Sequence, residues 1–473
     1  MKARFCIIIY ATLATTLNAA KPIQLHPDNP HYFLWRGSPT VLITSAEHYG
    51  AVLNPDFDYR TYFATLAADQ LNYTRIFAGG TYVEPPGAFN IPRNTLAPKG
   101  DRYLCPWARS DQPGYTGGGN KFDLSRWDKA YFARLRDFVA EAGRNRIVVE
   151  VALFCPFYKD AQWVLSPLHP GNNVNTTPQV TRTDVYTLDK HQGLLSIQER
   201  MVQKIVGVFR DADNVFFEIC NEPYFGGVTI PWQHRIADVI MEAQKDHPHQ
   251  KLIAQNIANG TAQVTIPHPN VSILNFHYAA PPKAVAQNYH LKRVIGDDET
   301  GFRGTGDAPY RMEAWDFIVA GGGLYNNLDY SFVAGHENGT FVLPASAPGG
   351  GNAGFRRSMH ALHDFITGFD FIHMQPNNTV LKASLPVGVT ARALVITGNQ
   401  YAIYLRSAKG QSIFTAADIK LGVELPAGSY IAKWINTKTG QVAKRASLRH
   451  PGGTCVLTAP AFKDDIALGL TRE

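Results

Sequence analysis

Two glutamates, Glu222 and Glu299, each close a short apolar run: "NVFFEIC" at 214–220 leads into "NEPY", and "RVIGDDE" spans 293–299. A carboxylate at the mouth of a run that reads as buried strand must be solvated, paired or put to use. Two opposed carboxyls can cleave a glycosidic bond. One protonates the leaving oxygen while the other attacks the anomeric carbon, or activates water to do so. Their separation sets the stereochemistry, about 5–5.5 Å for retention and roughly 6.5–9.5 Å for inversion, and spacing along the chain does not give that distance. With 39 acidic residues present, a glutamate at a strand end can equally be a salt-bridged rim residue. Pattern alone leaves both readings open. Pro223 biases Glu222 towards extended backbone, so that Asn221 and Glu222 both serve one cleft.

Opposed strand ends require a closed parallel sheet, and the chain supplies the runs for one. They are "TVLITS" (40–45), "LNYTRIF" (71–77), "RIVVEVALF" (146–154), "NVFFEIC" (214–220), "KLIAQNI" (251–257), "VSILNFHY" (271–278), "RVIGDDE" (293–299) and "GGLYNNLDYS" (322–331). Eight runs separated by helix-like stretches predict a (β/α)8 TIM barrel, in which the ends of the fourth and seventh strands face each other across the mouth. Residues 128–145 and 196–211 have helical apolar spacing, with Gly143 suited to a C-cap. Residues 78–125 are rich in Gly, Pro and aromatic side chains without periodicity, and read as a loop walling the active-site face. After the Gly-rich break at 346–354 and a helical pattern at 355–369, only strand patterns remain, at 390–398, 400–407, 429–447 and 454–460, with "NTKTG" as a hairpin turn. The expected division is 21–366 as the barrel and 367–473 as a small all-β sandwich.

A chain of 473 residues exceeds what one compact core usually fills. Its formal charge of +6 is spread without a Lys/Arg run, which argues for neither nucleic acid nor a membrane as partner. Residues 1–20 carry Lys2 and Arg4, then an apolar run too short to span a bilayer, then small residues before Lys21. That layout predicts an export signal cut after residue 19 or 20, and a secreted or periplasmic protein. Cys105, Cys155, Cys220 and Cys455 have no CxxC spacing, so at most one bridge is expected. Neither HExxH nor G-x-S-x-G occurs, and no metal or cofactor is expected. A monomer or weak oligomer is expected.

"ICNEPY" resembles the strand-four Asn-Glu-Pro signature of clan A retaining glycoside hydrolases, the cellulase-like (β/α)8 enzymes. "IGDDETGF" is similar to their strand-seven segment, "ILNFHYA" to their strand-six His-Tyr element, and "LNYTRIF" to the strand carrying their arginine. The four elements stand in the family's order, and the resemblance covers about residues 30–340. It implies that Glu222 is the acid/base, Glu299 the nucleophile, and Asn221 a ligand of the sugar 2-hydroxyl. Arg75 and Tyr278 would hold Glu299 ionised, and His277 would line the same subsite. Glu47 and His48 in "SAEHYG" fall where relatives often carry a sugar-binding residue; they bind hydroxyls or cap the loop. Trp163 stacks on a sugar or is loop core. Tyr325 or Asn326 replaces the stacking tryptophan of many relatives, a departure from the pattern.

The last hundred residues resemble the sandwich that follows this barrel subgroup, sometimes labelled collagen-binding; packing on the barrel is the alternative role. The resemblance therefore implies an exported retaining hydrolase of plant or microbial polysaccharides or oligosaccharides, with carbohydrate as its partner. Two alternatives stand beside it. One is an exo-acting enzyme releasing a terminal pentose such as arabinofuranose or apiose, the other a non-catalytic carbohydrate-binding protein on a degenerate barrel.

Overall fold

Each of the eight apolar runs forms a strand in the computed structural model, which describes residues 21–46, 49–188, 193–382, 385–407, 413–414 and 419–473. The candidate export signal, Glu47 and His48 lie outside the described residues. The strands are β1 (Leu42–Ser45), β2 (Tyr73–Phe77), β3 (Val148–Phe154), β4 (Val215–Cys220), β5 (Ile253–Asn259), β6 (Ile273–His277), β7 (Val294–Glu299) and β8 (Leu324–Asn327). They pair in parallel in the order β1-β8-β7-β6-β5-β4-β3-β2. The sheet curls until β1 and β2 meet. There the side chain of Asn72 bridges the seam: its Nδ2 donates to Val41 O at 2.8 Å and its Oδ1 accepts from Ile43 N at 3.0 Å.

Helices α1 (Tyr59–Ala68), α2 (Lys129–Arg144), α3 (Leu194–Val208), α4 (Ile230–Ala243), α5 (Lys283–Asn288), α6 (Ala308–Val319) and α7 (Ala353–Thr367) surround the sheet. The expected helix between β5 and β6 does not form. Pro267 and Pro269 in that connection remove donors a helix needs. Helix α2 is capped by Asp128, whose Oδ1 accepts from Tyr131 N at 2.8 Å, and it ends on Asn145 and not on Gly143. Gly143 instead permits close approach: a Cβ there would stand 3.2 Å from Asn214 Oδ1. The stretch 78–125 is also more ordered than its composition suggests, since Trp107–Pro113 and Asn120–Trp127 pair as a hairpin.

Side chains fill the barrel in layers, as a period of two along each strand dictates. The bottom layer takes one apolar residue from every strand: Leu42, Tyr73, Val148, Phe216, Ala254, Ile273, Val294 and Leu324. Ile23, Phe33 and Trp35 of the N-terminal segment close it from below. Two residues further along several strands the interior turns polar, with Arg75, Glu150, Glu218 and Asn275 all fully buried. Gly296 makes room for this layer, because a Cβ there would lie 2.5 Å from Asn275 Oδ1. The apolar runs thus carry charge on their inward faces, just below the mouth.

The C-terminal part is all-β, built from β9 (Val389–Ile396), β10 (Gln400–Ser407), β11 (Lys420–Leu425), β12 (Gly428–Ile435), β13 (Val442–His450), β14 (Gly453–Thr458) and β15 (Asp465–Arg472). One antiparallel sheet runs β9-β10-β15-β12-β13, and β11 pairs with β14. Tyr430, Trp434, Leu421, Val423 and Leu457 share the core between them. "NTKTG" makes the expected turn: Gly440 sits at φ +72° and donates to Asn436 O at 2.8 Å.

Helix α6 joins the two parts, with every residue from Tyr310 to Val319 buried. Trp315 stacks on Tyr404 at 5.9 Å, and the barrel core continues through it to Ile435 and Ala467. Arg311 grips Asp465 (Nη2 to Oδ1, 2.7 Å), and Asp316 pairs with Arg392 and Arg406. Glu313 pairs inward with Arg303 of the β7–α6 loop. No helix among the described residues is long and apolar enough to cross a membrane.

Candidate active site

Glu222 stands two residues beyond β4, and Glu299 is the last residue of β7. Both are largely buried and line one cavity of about 500 Å³ at the C-terminal ends of the strands. One oxygen of each carboxylate and one nitrogen of His277 lie within 4.8 Å of one another. Glu222 does not adopt the extended backbone that Pro223 was expected to impose: its φ is +38°. The chain turns sharply there to bring the carboxylate over the cavity. Tyr278, Phe89 and Phe302, which also line the cavity, have φ of +55°, +53° and +58°. Left-handed backbone at non-glycine residues costs about 1–3 kcal/mol each and gathers where function requires it.

The two carboxylates are held differently. Glu299 accepts from Tyr278 OH at 2.5 Å, from Tyr49 OH, and from Arg75 Nη1 at 3.4 Å. Glu222 accepts from Tyr158 OH at 2.6 Å and from Tyr224 OH at 3.3 Å. His277 lies behind both: Nδ1 is 3.3 Å from Glu222 and 3.7 Å from Glu299, and Nε2 is 3.4 Å from Asp298. Burial disfavours a charged imidazole, yet the charges of Glu299 and Asp298 and the contacts with Asp298 and Glu222 raise its pKa well above the usual value. Burial likewise pushes the Glu222 carboxyl up, but the bond to His277 and its charge outweigh this and hold it below the usual carboxylate range. Both directions favour a proton on His277 over one on Glu222.

Beneath, Arg75 Nη2 donates to Glu218 at 2.5 Å and to Asn221 Oδ1 at 2.7 Å, and Nε lies 3.2 Å from Asp298. Asn275 Nδ2 donates to Glu150, Glu218 and Asp298 at 2.8–3.0 Å. Burial, with Asp298 nearby, raises Glu218 to about 7 despite Arg75, and burial with the charges of Glu218 and Asp298 raises Glu150 well above its ordinary value. Asp298 is also buried, but Arg75 and His277 hold it at about 2. Glu222–His277–Glu299 and Glu150–Glu218–Asp298 each have donor atoms close enough to hold a cation. In both, those atoms already face the N–H and O–H groups just named, which a cation would have to displace.

Of the residues singled out from sequence, Glu222, Glu299, Asn221 and Tyr278 line the cavity, and Arg75 supports it from below. His277 touches both carboxylates but lies behind the lining. Trp163 is loop core, packed on Phe157 at 5.0 Å with Nε1 donating to Val180 O. Tyr325 and Asn326 are fully buried away from the cavity; Tyr325 OH donates to Tyr310 O, and Asn326 Nδ2 donates to Asp298 O. The wall on that side comes from Leu328 and Tyr330. Sequence reasoning missed Tyr49, Glu84, Tyr158, Asn259, Phe225 and Arg303, all in the lining. Tyr49 and Tyr158 fall inside the loop motifs "SAEHYG" and "FYKD", and an aromatic close after a strand end was the available signal. The four cysteines among the described residues are unpaired, so the allowance for one bridge is not taken up.

No family model and no curated protein matches the sequence. Solved structures share the architecture. A glycoside hydrolase family 5 structure from Bacteroides vulgatus has a TM-score of 0.63 at 11% identity, over 95% of this chain and 93% of that one. A structure described only as a glycoside hydrolase gives 0.64 at 11% identity, over 96% and 97%. Another Bacteroides vulgatus structure gives 0.67 at 11% identity, over 96% of this chain and 82% of that one. At this identity the likeness establishes the fold, barrel and sandwich together.

Proposed function

We propose that this protein is a retaining glycoside hydrolase, exported, that releases sugar by double displacement. The observation that carries the reading is the approach of the Glu222 and Glu299 oxygens to within 4.8 Å. An approach that close supports direct attack on an anomeric carbon by one of the carboxyls, the retaining arrangement. Glu299, oriented by hydrogen bonds from two tyrosines and Arg75, is the nucleophile. Glu222 is the acid/base. The proton His277 carries at Nδ1 passes to Glu222 as the substrate displaces water, and Glu222 then gives it to the glycosidic oxygen. The bond from C1 to that oxygen breaks, the alcohol leaves, and Glu299 is esterified to C1. Glu222, now a carboxylate, takes a proton from water as the water oxygen attacks C1 and frees Glu299. Asn221, fixed between Arg75 and Tyr158, is placed to hold the 2-hydroxyl.

One observation supports terminal cleavage over cutting within a chain: the loops after several strands wall the cavity, and nine of its 21 lining residues are aromatic. The N-terminal pattern at 1–20 supports export. The reading is tested by proton NMR of the first sugar anomer formed from a glycoside panel, with Glu299→Ala as the blank. Retained configuration, with turnover lost in Glu299→Ala and its circular dichroism unchanged, is expected. An inverted first product, or undiminished turnover in the variant, rules it out.

A further inference from the structure

The most exposed large aromatic side chains among the described residues are Phe89, Tyr224, Phe225 and Phe302, at 37–45% of their surface. All four stand at the mouth of the cavity: three line it, and Tyr224 bonds to Glu222 beside it. With Tyr158 and Tyr278 they form a chain of rings. Phe225 meets Tyr158 at 5.8 Å and 61°, Tyr158 meets Phe89 at 5.5 Å and 88°, Phe89 meets Phe302 at 6.4 Å and 76°, and Phe302 meets Tyr278 at 6.4 Å and 83°.

Rings set so steeply to one another make a slot, not a flat platform. Three of them are phenylalanines with nothing to offer a hydroxyl. A second sugar lodged there would depend on the few polar groups of the same lining, such as Asn259 and Arg303, and each hydroxyl left without a partner would cost about 1–3 kcal/mol. An apolar ring would meet only favourable contact. Phe89 and Phe302 are presented from left-handed backbone, so their placement is maintained against strain. The Tyr158–Phe225 end of the chain lies on the side of Glu222, and the Phe302–Tyr278 end on the side of Glu299, to which Tyr278 donates. Tyr158 bonds to Glu222, and Tyr224 and Phe225 follow Glu222 within three residues. Glu222 delivers its proton to the departing oxygen, so these rings flank the leaving group.

We propose that the substrate places its sugar against Glu222 and Glu299 and a ring-sized apolar leaving group against Phe89 and Phe225, which flank Tyr158, so that the protein acts on glycosides of aromatic or comparably apolar alcohols. This rests on the glycosidase reading above. The test compares kcat/KM for methyl, n-hexyl and benzyl glycosides, and for the matching disaccharide, across β-D-gluco, β-D-manno, β-D-galacto, β-D-xylo and α-L-arabinofurano series. The three simple alcohols have similar acidity, so the bond-breaking step largely cancels in their ratios. Benzyl is expected to exceed methyl by about tenfold or more, and to exceed n-hexyl and the disaccharide. In Phe89→Ala and Phe225→Ala the benzyl-to-methyl ratio falls towards one. A wild-type ratio near one, or a ratio unmoved in both variants, overturns the proposal while leaving hydrolysis intact. A disaccharide preferred over benzyl overturns it in favour of a second sugar, and a preferred n-hexyl glycoside overturns it in favour of an alkyl chain. No turnover in any series removes the glycosidase reading and this inference with it.

Discussion

Tyr158 touches both groups that would handle the leaving oxygen and the 2-hydroxyl, donating to Glu222 at 2.6 Å and accepting from Asn221 Nδ2 at 2.9 Å. Its hydroxyl helps to hold the Glu222 carboxyl down. Tyr158→Phe should lower kcat/KM by about 10² and, because the Glu222–His277 pair then keeps its shared proton to higher pH, move the alkaline limb of the pH profile upward. A profile that falls in height without shifting would make Tyr158 a packing residue. Glu222, Glu299 and Asn221 were legible because a barrel fixes what a strand end faces. Tyr158 was not, since a loop residue reaches its place by conformation and leaves no spacing behind. The backbone at Glu222 was read the wrong way: a following proline discourages the right-handed region, and the turn took the left-handed one instead of extended backbone.

At the scale of elements, β3 and β4 read as apolar runs interrupted by one glutamate each, and these two, Glu150 and Glu218, point into the barrel beneath the site. Glu218 has a folded pKa of about 7 against an ordinary 4.5. The folded protein thus holds a proton that the unfolded chain has lost, and the associated stability is full below about pH 4.5 and is lost as pH rises through 7. Glu218→Gln should flatten the dependence of the urea midpoint over that window, by on the order of 3 kcal/mol in unfolding free energy between its ends. An unchanged slope would show that the carboxyl titrates elsewhere. The Arg311–Asp465 pair, with both side chains at least 96% buried, should cost about 3–5 kcal/mol when Asp465→Ala leaves the guanidinium only its longer contact with Asp464, read from chemical denaturation. All eight barrel strands were visible as apolar runs. Strands β11 and β15 were not, because Gly422 and Gly469 interrupt patterns too short to spare a position.

For the molecule as a whole, the change from alternating elements to strands alone correctly announced two architectures, but the joint between them was invisible. Nothing in "APYRMEAWDFIV" says that the helix would be covered on every side, with its three charged residues each paired to a partner on another element. With one core running from the barrel through Trp315 to Tyr404, unfolding of the full chain in urea should show a single transition by fluorescence and circular dichroism alike. A chain ended at Met374 should bind hydrophobic dyes and aggregate, because it bares Trp315 and leaves Asp316 without either arginine. Two separated transitions, or a soluble and cooperative truncated barrel, would contradict this.

A domain whose border is wet can be lost, duplicated or exchanged during descent with little harm to its neighbour. Helix α6 denies this chain that freedom. Substitutions at Arg392, Arg406 or Asp465 are answerable to residues in the barrel, and Glu313 on the same helix holds Arg303 at the rim of the cavity. The sandwich and the barrel are therefore bound to diverge together. A chimera that borrows its sandwich from another lineage will work only if the outward face of α6 is borrowed with it.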